Sequence, residues 1–128
     1  MPNKKSKNTG KLNEVCIQLK GALKFYQNSS TDHYIKLLSV TKAFEVAVET
    51  AWKELKRRCE EKGLEALSPK DAVRQAARIG LVKQPLLWIE MINARNVSSH
   101  DYAGISEAAY VRLSLELLKE FKRVFKIP

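Results

Sequence analysis

The sequence predicts an all-α fold, an antiparallel up-and-down bundle of four to five helices. Three observations predict it. Apolar residues recur at i, i+3, i+4 and i+7 through successive segments, the spacing of amphipathic helices. The chain has 128 residues with only five Gly and four Pro, and it is 45% hydrophobic and 29% charged. That balance excludes a collagen-like or disordered chain and argues against a loop-rich all-β fold. No stretch alternates with period two for long enough to form a strand. The length suits one domain around one core.

The elements follow in order. The first helix carries Leu12, Val15, Leu19, Ala22, Leu23 and Tyr26 on one stripe, and Asn28-Ser29-Ser30-Thr31 breaks the pattern. Ahead of it, Lys4, Lys5, Lys7 and Lys11 stand among polar residues with no acid and no apolar period. Residues 1–10 therefore read as a flexible basic arm, and 11–128 as a single helical bundle. The second helix runs from about Asp32 to Glu61, with Phe44, Ala47, Val48, Ala51, Leu55 and Cys59 on one stripe. Gly63 suits the left-handed residue that closes it. In Ser68-Pro69-Lys70-Asp71, the serine caps a third helix, the proline fills its first turn and the aspartate meets the dipole's positive end. Gly80 ends that helix. The fourth begins around Gln84-Pro85 and carries Leu86 to Asn96. Gly104 interrupts before Ser106 caps the last helix, whose apolar residues include Tyr110, Leu113, Leu117, Phe121 and Phe125. Short loops make sequential helices antiparallel neighbours.

Charge and cysteine usage bound the function classes. The formal net charge is +9. Basic ends attract polyanions such as RNA, but they equally describe a solvated tail and an ordinary helix C-terminus. No apolar run approaches the roughly 18 residues of a membrane span. Leu12 to Tyr26 contains Asn13, Glu14, Gln18, Lys20 and Lys24, so no signal-peptide core follows the lysines. Cys16 and Cys59 have no metal spacing and read as reduced core thiols of a cytoplasmic protein. Nothing resembles a phosphate-binding loop, a dinucleotide loop or a zinc set, so no metal and no cofactor are expected.

The fourth helix departs from an ordinary pattern. Trp88, Met91, Ile92, Arg95, Ser99 and Tyr102 share one stripe at 100° per residue. The first three must face the core. The stripe then continues into Arg95 and Tyr102, where a structural helix would place leucine. Asn96 and His100 lie i, i+4 on its flank. A partly buried Arg needs a partner. A Glu from the second helix would serve, and so would the phosphate or carboxylate of a ligand. Glu45 and Glu49 edge the second helix's stripe; one of them would anchor Arg95, or Glu49 would simply face Lys53. Trp52 and Trp88 read as core packing rather than base stacking, Tyr26 and Tyr110 as core, and His33 as a surface or capping residue.

The segment Arg95-Asn96-Val97-Ser98-Ser99-His100-Asp101-Tyr102 resembles the R-x4-H-x-Y signature of the HEPN superfamily. Phe44-Glu45, Glu49 and Trp52-Lys53 resemble the F-E-x3-E-x2-W-K helix of the nucleotidyltransferase substrate-binding protein family. Ser68 to Ala76 and Gly80-Leu81-Val82 resemble that family's next helix and its closing glycine. The similarity covers about residues 11–125. It implies a four- or five-helix bundle, a homodimer with Arg and His at a cleft between subunits, and a minimal nucleotidyltransferase as partner. It further implies that Arg95 and His100 are catalytic in a metal-independent RNase toxin. Asn96 would orient the site. Tyr102 would receive AMP from the nucleotidyltransferase antitoxin, which silences the RNase.

The residue types suit that chemistry. Cleavage of RNA by its own 2′-OH needs a base, which a His near neutral pKa supplies. It also needs charge stabilisation on the phosphorane, which an Arg fork supplies. Two subunits would bring two copies of His100, one as base and one as acid. AMP on Tyr102 would set bulk and negative charge against Arg95. Three readings stand at this point: an RNase toxin, a non-catalytic nucleotide- or substrate-binding subunit of a two-component nucleotidyltransferase, and a basic adaptor for nucleic acid. The intact Arg95, His100 and Tyr102 favour the first over the third. They do not separate the first from the second, because an Arg-His cleft also binds nucleotide phosphates.

Overall fold

The computed structural model describes the backbone of residues 4–98 and 106–128, and the side chains of residues 10–96 and 106–128. Within these residues the helices are α1 (Lys4–Asn28), α2 (His33–Glu61), α3 (Pro69–Arg78), α4 (Pro85–Ser98) and α5 (Glu107–Phe125). Among the described residues there is no strand. The expected all-α antiparallel bundle is the fold.

Local chemistry sets the helix ends. Asp32 caps α2 by accepting from the backbone N–H groups of Tyr34 and Ile35 at 2.9 and 3.4 Å. Ser68 accepts from Asp71 N–H at 3.1 Å, with Pro69 in the first turn of α3. Ser106 accepts from Ala109 N–H at 3.1 Å. Each side chain satisfies donors that an α-helix leaves open. Past α2 and α3, Gly63 and Gly80 take φ of +80° and +79°, a region costly for residues with a Cβ. The backbone of α1 starts at Lys4, inside the segment read as an arm. Lysine is a good helix former, so backbone propensity favours a helix there without an apolar period.

Helix α2 is the central element and packs against each of the other four. α1 rests on α2 and α5, whereas α3 rests on α2 and α4. Leu12, Leu19, Phe44, Val48, Leu55, Trp88, Met91, Leu117 and Phe121 are at most 1% exposed and form one core. Phe44 meets Tyr110 edge-on at 6.0 Å between ring centres. Trp88 meets Phe125 in the same way at 6.3 Å. The Trp88 indole N–H donates to Glu120 Oε1 at 2.8 Å inside this core, and Glu120 is 1% exposed. The other Glu120 oxygen lies 3.1 Å from Arg123 Nη1. This bond fastens α4 to α5 two turns before Arg95.

Cys16 and Cys59 are free and buried, and burial pushes both thiols up. They are the core residues their sequence context suggests. Among the described residues, no helix is long and apolar enough to cross a membrane.

Candidate functional site

The core face of α4 fixes where Arg95 emerges. Trp88, Met91, Ile92 and Ala94 are each buried, and the Arg95 side chain that continues their stripe is 30% exposed. Arg95 Nη2 lies 2.8 Å from Glu49 Oε2, which projects from the middle of α2. Arg95 Nη1 donates to Asn96 Oδ1 at 3.1 Å. The guanidinium is thus held from two sides.

Glu49 is the node of the cluster. Its Oε2 also accepts the Trp52 indole N–H at 3.1 Å. Its Oε1 lies 3.6 Å from Lys53 Nζ. The pairing of Glu49 with Lys53 and its pairing with Arg95 therefore occur together. With nearly a third of both side chains exposed, the Arg95–Glu49 pair contributes about 1 kcal/mol or less to stability. Its larger effect is geometric, because it fixes a flexible guanidinium at the surface.

Glu49 also forms one wall of a 290 Å³ groove between α1 and α2. Lys11, Leu12, Thr50, Lys53, Glu54 and Arg57 line the rest. Glu54 is its buried carboxylate, at 6% exposure. Arg57 grips both Glu54 oxygens at 2.9 and 2.7 Å, and Arg58 Nε donates to Oε2 at 2.7 Å. Burial works against the Glu54 charge, but the hydrogen bonds from Arg57 and Arg58 outweigh it and hold the carboxyl below its usual range. Arg57 in turn reaches Glu61 at 2.7 Å.

Of the residues singled out in the sequence, the structure brings Arg95, Asn96 and Glu49 together. Glu45 is ion-paired to Lys42 at 3.7 Å. His100 and Tyr102 lie outside the described residues. Trp88 and Tyr110 are core, as expected. Trp52 is not: it is half-buried at the site and gives its N–H to Glu49. Its stripe position suggested packing, but the neighbouring carboxylate draws the indole edge toward the surface. Among the described residues, no group of three or more acidic, His or Cys side chains is arranged to hold a metal ion.

A second polar cluster lies where α1, α2 and α5 meet. His33 Nε2 is 2.7 Å from Glu107 Oε1, and the Tyr26 hydroxyl donates to Glu107 Oε2. The Tyr26 and His33 rings are 5.7 Å apart. Hydrogen bonds, from Tyr26 first and His33 second, hold the Glu107 carboxyl below its usual range. Tyr26 packs against the core but turns its hydroxyl outward, so it is only half the core residue expected. Glu107 was missed in the sequence. Its only local signal is an acid in the first turn of a helix, which speaks to the dipole and not to partners 74 and 81 residues away.

Comparison with known proteins bears on the whole chain. The family model described as "nucleotidyltransferase substrate binding protein like" matches residues 7–126. No curated protein matches. A crystal structure of a protein from Thermus thermophilus is similar at 24% identity with a TM-score of 0.75, covering 90% of this chain and 96% of that one. At that identity the similarity speaks to the fold alone.

Proposed function

The chain belongs to the nucleotidyltransferase substrate binding protein like family, and from that premise we propose that it is the substrate-holding partner of a separate nucleotidyltransferase. The family match over residues 7–126 carries this reading. The cluster at the end of α4 supports it. A partly exposed Arg95, oriented by Glu49 and Asn96, suits a phosphate because a guanidinium offers paired N–H donors. His100, four residues on from Asn96, adds a second phosphate donor when protonated. The chain itself performs no transfer in this reading. It presents a phosphate-bearing substrate while the partner supplies the transfer chemistry.

The R-x4-H-x-Y spacing of Arg95, His100 and Tyr102 favours a second reading, a metal-independent RNase silenced by AMP on Tyr102. In that case Arg95 stabilises the phosphorane and His100 moves the proton, with a homodimer supplying two copies of His100.

One experiment separates the two. The chain is co-expressed with a minimal nucleotidyltransferase of the same genome, and AMP transfer from labelled ATP is followed. In parallel the chain alone is incubated with total RNA in EDTA. A complex whose transfer activity falls at least tenfold with Arg95→Ala, with RNA left intact, is the expected result. RNA cleavage that vanishes in both Arg95→Ala and His100→Ala, together with label on wild type but not on Tyr102→Phe, would replace it with the RNase reading. No complex at micromolar concentration and no cleavage would overturn both.

A further inference from the structure

A second groove, of 520 Å³, runs along the outer side of α1 and α2, and the Arg95 cluster makes no use of it. Its floor is apolar: Ala22 of α1 with Leu38, Ala43 and Val46 of α2, all half-buried. Ile35 stands at its rim, 50% exposed. The polar residues there offer little to a polar ligand. Ser39 gives its hydroxyl to the Ile35 carbonyl at 3.1 Å, and the Gln18 amide is turned to Glu14 at 3.5 Å. The outward side of α1 continues the apolar surface. Ile17, Gly21 and Phe25 follow one another at i, i+4 and i+8, away from the stripe of Leu12, Leu19 and Leu23 that faces the core, and Ile17 is 59% exposed. Exposed apolar surface of this extent marks interaction sites. Gly21 is the second observation. It lies in the middle of a 25-residue helix, where only proline is a poorer helix former. Its φ is not positive, and a Cβ added to it would meet nothing within 4 Å. Among the described residues, nothing inside the bundle requires glycine there. A bare backbone on an exposed apolar stripe does let a second helix approach closely.

We infer that this α1–α2 face is the docking surface for an amphipathic helix with acidic flanks, carried by the nucleotidyltransferase partner. This rests on the chain having such a partner, as proposed above. The shape fits a helix, because the apolar residues of both banks recur at helical spacing and a partner's apolar stripe can lie between them. Charge selects whose helix it is. Lys24 stands one turn beyond Gly21, exposed and with no ion pair among the described residues. Lys42 lines the opposite bank, 72% exposed and 3.7 Å from Glu45. A second copy of this chain would set these lysines against their own copies, at a formal charge of +9 on each side. Carboxylates flanking a partner's apolar stripe would meet them favourably. The position is also the useful one. Val46 is one turn before Glu49, which holds Arg95 at 2.8 Å. A helix seated in the groove therefore ends beside the cluster that would hold the substrate, and brings the transferring protein to it.

The test is calorimetric titration of the full chain with the minimal nucleotidyltransferase of the same genome, purified separately. Wild type is compared with Gly21→Gln, Ile35→Gln, Lys24→Glu/Lys42→Glu and the charge-matched control Lys62→Glu/Lys122→Glu, and the Tm of each is measured. Gly21→Gln fills the close approach with a better helix former, so it should bind at least about tenfold more weakly while its Tm rises. A glycine that served only the fold would do the reverse. Ile35→Gln removes apolar surface outside the core and should bind about tenfold more weakly with the fold intact. The groove charge reversal should weaken binding about tenfold more than the control does. Wild-type affinity in both Gly21→Gln and Ile35→Gln would overturn the groove as the docking surface and leave the substrate-holding reading standing. Equal losses in the two charge-reversal variants would overturn the acidic flanks. Sedimentation of the chain alone completes the test: a wild-type dimer at micromolar concentration that Gly21→Gln dissociates would put a second copy in the groove and overturn the assigned occupant. No binding by wild type at that concentration would overturn the partner reading itself, and the docking surface with it.

Discussion

Replacing Trp88 by Phe keeps an aromatic ring in the core and removes one N–H. That N–H is the 2.8 Å donor to Glu120 Oε1, and Glu120 is 1% exposed. After the change the carboxylate keeps only Arg123, at 3.1 Å from its other oxygen. Leaving a buried charged acceptor without its donor costs about 1.5–3 kcal/mol. The smaller ring also leaves space beside Phe125, which adds about 1 kcal/mol. The expected loss is about 2–4 kcal/mol, or roughly 10 °C in Tm for a domain of this size. Thermal and urea unfolding followed by far-UV circular dichroism would measure it. The companion variant is Trp88→Phe/Glu120→Leu, in which both polar partners are gone. Its cost should fall at least about 1 kcal/mol short of the sum of the two single costs, because removing both partners leaves no orphan. A single-variant loss below about 0.5 kcal/mol, or strict additivity in the double, would refute the buried bond as a strut of α4. Loss of that strut should also weaken anion binding at Arg95, two turns further along.

Other outcomes follow from the same geometry. Glu54 has a folded-state carboxyl below the ordinary value of 4.5, so its contribution is complete above that value and disappears as pH falls through the lower folded one. The Tm gap between wild type and Glu54→Gln should thus be about 2 kcal/mol in equivalent stability at pH 7 and should close on acidification; a gap that widens below pH 4 would contradict the sign. Glu49→Ala should cost less than about 1 kcal/mol in stability, since the pair is nearly a third exposed, yet shift Trp52 emission as the indole loses its acceptor. An unchanged spectrum would mean the bond is not made in solution. Gly80→Ala should destabilise by about 1–2 kcal/mol in urea melts, because its φ is +79°.

What was legible in the sequence is what local rules decide. Asp32, Ser68 and Ser106 are caps because a short side-chain oxygen reaches donors two or three residues on, and that distance is visible in the sequence. Gly63 and Gly80 mark helix ends for the same reason. The start of α1 was not legible, since Lys4 to Gly10 carry no apolar period and lysine propensity alone continues the helix. Trp88, Met91 and Ile92 declared the buried face of α4, and so the emergence of Arg95. That Glu49 rather than Glu45 meets Arg95 needed the crossing of α2 and α4, which periodicity does not contain. Trp52 and Trp88 look alike on their stripes. What separates them is a carboxylate beside one at the surface and a carboxylate beneath the other in the core.

The packing order has one mechanical consequence. Among the described residues α1 and α4 share no contact, and each rests instead on α2 and α5. Lys11 and Arg95 are therefore mounted on separate rods bolted to a common spine. The span between them is set through α2 and α5, not by any direct contact between the two helices.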